Sequence, residues 1–199
     1  MFILVISLLF LALTMVLNVT IQTPLFLLGL NFIYNYQSAF PQMWIQNFYN
    51  VVSYTSFPTG VAVVILLHYV IVKRKLMLIV HLIYYFYCTY IIAILVQSYQ
   101  QSRPIWYDIR IKNWDWNCGQ TYANPSGHSF SVVVLFEPIV SDSIGTAKWR
   151  RLIMIPLFLL WVLVPISRVY LGVHSVNQIL FGLTLGMISL VLFKYIYQK

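Results

Sequence analysis

Residues 76–97 read LMLIVHLIYYFYCTYIIAILVQ and contain no Asp, Glu, Lys or Arg. A helix that crosses a bilayer needs about 20 predominantly apolar residues, and this stretch supplies them without a break. Lys73, Arg74 and Lys75 close it on one side, and Arg103-Pro104 follows on the other. An apolar run flanked by charge on both ends is the pattern of a membrane span with its loops.

Working outward, the rest of the chain has the same character. Of its 199 residues 61% are apolar and 8% charged, where a soluble domain carries roughly 25% charged residues. So little charge cannot cover the surface of a soluble domain, and disorder requires the opposite composition. Further apolar runs occupy 2–19, 57–72, 127–141 (broken by Glu137 and Pro138), 152–167 and 174–195. The expected fold is therefore all-α: a polytopic transmembrane helical bundle of about six spans. The first run lacks the basic start and small-residue cleavage site of a signal peptide, so it reads as a retained helix. Residues 1–35 are expected to form this N-terminal helix and a connector, and residues 36–199 the main membrane domain.

Residues 38–55 are mixed. Phe40, Trp44, Phe48 and Val51 recur at helical spacing, with Gln42, Gln46, Asn47 and Asn50 between them. This predicts an amphipathic helix in the membrane interface, with Pro41 near its start; the competing reading is a poorly hydrophobic span.

The net charge of +8 does not indicate nucleic acid, because residues 1–72 carry no charged side chain and the bases lie in short clusters between apolar runs. With six spans both termini share a side. Lys73, Arg74, Lys75, Lys148, Arg150, Arg151, Lys194 and Lys199 fall there, against Arg103, Arg110, Lys112 and Arg168 opposite. The richer side faces the cytoplasm, so both termini are expected there, with loop 98–126 and turn 168–173 facing the lumen or the cell exterior; the expected membrane is the endoplasmic reticulum or another endomembrane. Cys88 lies in an apolar run and Cys118 in a polar loop, so no disulfide is expected between them.

The residues able to do chemistry collect on that outer side. They are Arg103-Pro104, Pro125-Ser126-Gly127-His128, and Ser167-Arg168 followed by His174. Arginine offers a planar fork of donors suited to phosphate oxygens. Pro-Ser-Gly ahead of a helix presents backbone N–H groups to an anion, and Gly127 allows close approach. A histidine beside such a site can attack phosphorus or move a proton near neutral pH. Together they read as a phosphoryl-transfer site that uses no metal and no cofactor. Taken singly, each has a plainer reading: the arginines as interfacial anchors, Pro-Ser-Gly as a turn. His68 and His81 have no such companions and read as helix-packing groups.

In order and kind, these clusters resemble the three-part signature of the type-2 phosphatidic acid phosphatase and vanadium haloperoxidase superfamily: Lys, six residues, Arg-Pro; Pro-Ser-Gly-His; Ser-Arg, five residues, His, three residues, Asp. Arg103-Pro104-Ile105-Trp106 is also similar to the glucose-6-phosphatase and sphingoid-phosphate phosphatase branches. The resemblance spans roughly residues 36–195 and implies a metal-independent membrane phosphatase acting on a lipid phosphate or similar phosphomonoester. It implies His174 as the nucleophile that forms a phosphohistidine and His128 as the acid and then base. Arg103, Arg168, Ser126 and Gly127 would bind the phosphate.

The sequence departs from that signature twice. Val96 stands where the lysine belongs, and Gln178 where the aspartate belongs. On one helix 174 and 178 would share a face, so Gln178 is expected to orient His174 without supplying negative charge. Two functions therefore stay open: the phosphatase, with membrane lipids or a phosphorylated lipid as its partner, and a catalytically impaired relative that binds phosphate headgroups or serves a membrane assembly. Partner membrane proteins or a homo-oligomer fit either. A transporter would show paired broken helices near the midplane, and only the fourth run is interrupted.

Overall fold

The computed structural model describes residues 2–56, 60, 63, 69–70, 75–116, 120–134 and 147–197. Its helices in chain order are α1 (Phe2–Thr20), α2 (Gln22–Ala39), α3 (Met43–Tyr54), α4 (Lys75–Tyr99), the single turn α5 (Pro104–Tyr107), α6 (Ala147–Tyr170) and α7 (Val176–Tyr197). Residues 127–134 are also helical and lie between α5 and α6. The fold is all-α over the described residues.

The expectation of a six-span polytopic bundle is corrected here. Among the described residues two segments are long and apolar enough to cross a membrane, Ile79–Tyr107 and Val176–Ile196. Hydropathy alone overcounts because an apolar run is not always an uninterrupted apolar helix. α6 carries Pro156 and Pro165 within it, and its apolar helical part is the shorter Phe158–Tyr170. That part ends in Ser167, Arg168 and Tyr170, all buried in protein. The expected second run, 57–72, and the end of the fourth, 135–141 with Glu137 and Pro138, fall largely outside the described residues, as do His68 and Cys118. The connector expected before residue 36 is itself a helix, α2, which runs across that boundary to Ala39.

Leu28, Ile83, Phe86 and Tyr90 are exposed on the outer faces of α2 and α4. An apolar surface of this extent is stable against hydrocarbon and not against water, so the chain is an integral membrane protein. Inside, α1 and α2 pack on α7, and α2 and α3 pack on α6. Phe26, Leu30 and Ile33 of α2 meet Val169, Ile179 and Ile111 in one cluster. Val52 of α3 meets Val132, Val133, Val164 and Leu190 in another.

α3 forms where the interfacial amphipathic helix was expected. Met43, Trp44, Phe48 and Val51 are exposed, whereas Asn50 and Ser53 are buried. Asn50 anchors the inner face: its amide donates to the Trp114 carbonyl at 2.9 Å and accepts from Trp116 N–H at 3.1 Å. The polar face of α3 thus holds the 114–116 loop, and its apolar face turns outward.

Two glycines set close approaches that position the loops. Gly172, with φ of +81°, makes the turn between α6 and α7, where a Cβ would stand 2.6 Å from the Lys112 carbonyl oxygen. Gly182 lets α7 lie against the backbone of Ser126, where a Cβ would stand 2.5 Å from the Ser126 carbonyl oxygen.

Candidate active site

Arg103 precedes α5, with Pro104 in the first turn, a position where the missing N–H costs nothing. Its guanidinium is buried and reaches two loops. Nε donates to the Thr121 carbonyl at 2.7 Å, Nη1 to the Val173 carbonyl at 3.1 Å and Nη2 to Thr121 Oγ1 at 3.4 Å. Arg103 therefore ties the segment leading into Pro-Ser-Gly-His to the segment leading into His174.

Ser126 caps the helix that starts at residue 127. Its Oγ accepts from Ser129 N–H at 3.4 Å and shares a bond with Ser129 Oγ at 3.1 Å, as an N-cap serine does. Its own N–H donates to the Gln178 carbonyl at 3.0 Å, so α7 carries the Pro-Ser-Gly backbone directly. The Asn124–Pro125 peptide is cis. His128 follows and, with Gly127, Tyr85, Thr89 and Ser56, lines a cavity of about 170 Å³.

Arg168, 3% exposed, projects from the last turn of α6. Nη1 donates to Ser53 Oγ at 2.5 Å and Nη2 to Asp115 Oδ2 at 2.8 Å. Its Nε is a buried donor with no hydrogen-bond partner among the described residues. Leaving such a donor unmade is costly, and an anion acceptor would satisfy it.

His174 lies in the turn before α7 and is buried. Its Nδ1 sits 3.0 Å from the Ala123 carbonyl oxygen. A carbonyl only accepts, so Nδ1 carries the hydrogen and Nε2 keeps its lone pair. Burial, then the charges of Arg103, Arg168 and His128, hold this imidazole well below its ordinary pKa. The four groups expected from sequence, Arg103, His128, Arg168 and His174, are thus close enough to act on one another electrostatically.

Gln178 stands apart from that ring. Its Oε1 accepts from Ser175 N–H at 3.0 Å, and its Nε2 donates to Gln101 Oε1 at 3.0 Å and to the Ser102 carbonyl at 2.9 Å. α7 begins at Val176, so His174 precedes the helix, and the rule that pairs residues four apart on a helix face does not reach it. Val96 lies within α4, and its carbonyl accepts from Gln100 N–H at 3.2 Å.

Sequence reasoning passed over Asp115, Ser53, Ala123 and Gln101. Asp115 carried a usable signal, being one of four acidic residues in the chain. A carboxylate in so basic and apolar a chain calls for a cationic partner. Gln178 carried another: Ser175-Val176-Asn177-Gln178 has the spacing of a capping box. Ser53 and Ala123 carried none, because their contacts join residues 115 and 51 positions apart.

Phosphatidylglycerophosphatase B of Bacillus subtilis is 35% identical over 83 residues, which are 40% of this chain and 41% of that relative. The chain therefore spans about two fifths of the length of the curated relative it matches. A solved structure, the first transmembrane PAP2 type phosphatidylglycerolphosphate phosphatase from Bacillus subtilis, superposes with a TM-score of 0.80 at 19% identity, covering 100% of this chain and 97% of that one. The two share a fold. Residues 78–199, more than half of the sequence and all three clusters, match the PAP2 superfamily, and the chain belongs to that superfamily.

Proposed function

We propose that this protein is a membrane phosphatase that hydrolyses a lipid phosphate through a phosphohistidine on His174, with no metal in any step. The observation that carries the reading is the His174 ring, whose Nδ1 is held by the Ala123 carbonyl while Nε2 keeps its lone pair beside Arg103, Arg168 and His128. A buried, neutral, oriented imidazole among cations is suited to attack a bound phosphate anion.

In the first step the Nε2 lone pair attacks phosphorus. The P–O bond to the leaving alcohol breaks, and its electron pair stays on that oxygen, which takes a proton from His128. In the second step water attacks phosphorus and gives its proton to His128, the P–N bond breaks, and inorganic phosphate leaves. Arg103 and Arg168 offset the charge on the phosphate oxygens, Arg168 through its unmatched Nε, with the first-turn amides at Gly127 and the Ser126 hydroxyl nearby. The incoming phosphate brings negative charge into a cationic site, which lets His128 hold the proton that it donates.

The substrate class follows from the surroundings. The cavity beside His128 is lined by Tyr85, Thr89 and Ile92 of α4, a helix whose outer face exposes Ile83, Phe86 and Tyr90 to lipid, so the leaving group is an alcohol on a membrane lipid. Phosphatidylglycerophosphate is the first substrate to test, by the name of the Bacillus relative. The site is read as opening on the side of the membrane away from the cytoplasm. The test is phosphate release by purified protein in detergent from phosphatidylglycerophosphate and phosphatidic acid, with His174→Ala as control. Release by the parent and none by the control supports the reading. No release from any lipid phosphate by folded protein replaces it with a non-catalytic phosphate binder, for which Val96 and Gln178 are the motivation.

A further inference from the structure

We infer that the orienting partner of His174 in this chain is the Ala123 carbonyl, and that Gln178 is a positioning residue whose neutral amide holds that carbonyl in place through Gln101. For catalysis this rests on the phosphatase reading above. The positioning itself rests on hydrogen bonds at the two ends of Gln101. Gln178 Nε2 donates to the side-chain Oε1 of Gln101 at 3.0 Å, and Asn177 Nδ2 donates to the same side-chain oxygen at 3.2 Å. The main-chain carbonyl of Gln101 accepts from Ala123 N–H at 3.0 Å, and His174 Nδ1 donates to the Ala123 carbonyl at 3.0 Å. Gln178, Ala123, Asn177 and Gln101 are all buried, so none of these bonds exchanges freely with water.

The amide chemistry is specific. Ser175 opens α7 and Gln178 stands three residues on, so the bond from Ser175 N–H to Gln178 Oε1 is the backward arm of a capping box. A capping box accepts Glu or Gln equally. Here the other end of the side chain must donate twice, to Gln101 Oε1 and to the Ser102 carbonyl. Glutamate would set an acceptor against these two acceptors, and aspartate would in addition be one carbon too short. The residue at 178 must therefore be an amide of this length, whatever charge a carboxylate would lend.

A neutral carbonyl partner also fixes the electrostatics. The charged or titratable groups facing His174 are Arg103 from the segment before α5, Arg168 from α6 and His128 from the helix at 127, with Asp115 held on Arg168. Among the described residues no carboxylate adjoins the ring to favour imidazolium, so the ring is held neutral below the pH at which a free histidine protonates.

The test is nitrogen NMR of protein carrying ¹⁵N-histidine, with the His174 signal assigned by its loss in His174→Ala, alongside phosphate release from phosphatidylglycerophosphate against pH. The parent should show His174 protonated at Nδ1 alone at neutral pH. Gln178→Glu should give a mixed tautomer and a kcat lower by roughly tenfold to a hundredfold at little changed KM, taking the loss seen when a metal-bound imidazole loses its orienting partner as the guide. Gln178→Asp should fare no better. A parent protonated at Nε2 overturns the inference, and this result needs no variant to fold. So does a folded Gln178→Asp or Gln178→Glu with parental tautomer and turnover. If the parent shows the Nδ1 tautomer, loses it in Gln178→Glu and releases no phosphate, the positioning stands and the phosphatase reading fails.

Discussion

Asp115 and Arg168 form a buried ion pair, with Oδ2 and Nη2 2.8 Å apart and side chains 3% and 4% exposed. The pair joins the loop after α5 to the last turn of α6, and Ser53 of α3 holds the other arm of the same guanidinium. Breaking such a pair from one side leaves a charge buried without its partner, at a cost of about 3–5 kcal/mol. Asp115→Asn should lower the thermal unfolding temperature accordingly. The same change leaves the Arg168 charge without its counter-charge, so millimolar phosphate or vanadate should raise the unfolding temperature of the variant more than that of the parent. Equal shifts would show that Arg168 does not face the anion.

A second expectation concerns pH. Burial and the neighbouring cations hold the His174 pKa below its ordinary value of about 6.5. In the folded protein this imidazole is then neutral at pH values where an exposed histidine is half protonated. The His174 contribution to the acid limb of kcat/KM should therefore lie below pH 6.5. For stability the sign is the same: the unfolded chain binds this proton first, so the contribution is present above the unfolded pKa and lost as pH falls through it toward the folded value. A pH profile of kcat/KM, with thermal unfolding measured across the same range, checks both.

Gly182 gives a third. A Cβ there would meet the Ser126 carbonyl oxygen at 2.5 Å and Ser126 N at 3.2 Å, both backbone atoms with little room to move. Gly182→Ala should push α7 away from Pro-Ser-Gly-His, strain the bond from Ser126 N–H to the Gln178 carbonyl and destabilise by about 1–3 kcal/mol. Turnover should fall together with the unfolding temperature. An unchanged kcat would separate the seating of this backbone from catalysis.

Orientation gives a fourth. Gln120 is exposed in the loop before the Pro-Ser-Gly-His helix. In a Cys118→Ser background, Gln120→Cys should react with an impermeant thiol reagent added on the side away from the cytoplasm. Labelling from the cytoplasmic side alone would reverse the proposed orientation.

Much of the site was legible because its parts sit at helix ends, where short motifs have local meaning. Arg103-Pro104 starts a helical turn, Ser126 caps the helix at 127, and Arg168 closes α6. What these ends hold could not be read. Ser53, Asp115 and Ala123 reach Arg168 and His174 across 115, 53 and 51 residues, and no local spacing encodes such contacts. Gln178 shows the opposite failure. The four-residue spacing from His174 suggested a shared helix face, but the capping box at Ser175 starts the helix after His174. The span count erred for a related reason: hydropathy records the apolar run of α6 but not that its end is buried against α3 and the loops.

The proposed hydrolysis passes through a covalent phosphohistidine on His174. The most direct measurement is brief incubation of purified protein with phosphatidylglycerophosphate labelled with ³²P in its terminal phosphate, followed by quenching in base and mapping of the labelled peptide. An acid-labile, base-stable label is expected on the peptide containing His174, formed by the parent, absent from His174→Ala, and accumulated in any His128 variant slowed in the second step. Phosphate release by the parent at the same rate with no label on that peptide, or with label retained in His174→Ala, would contradict it.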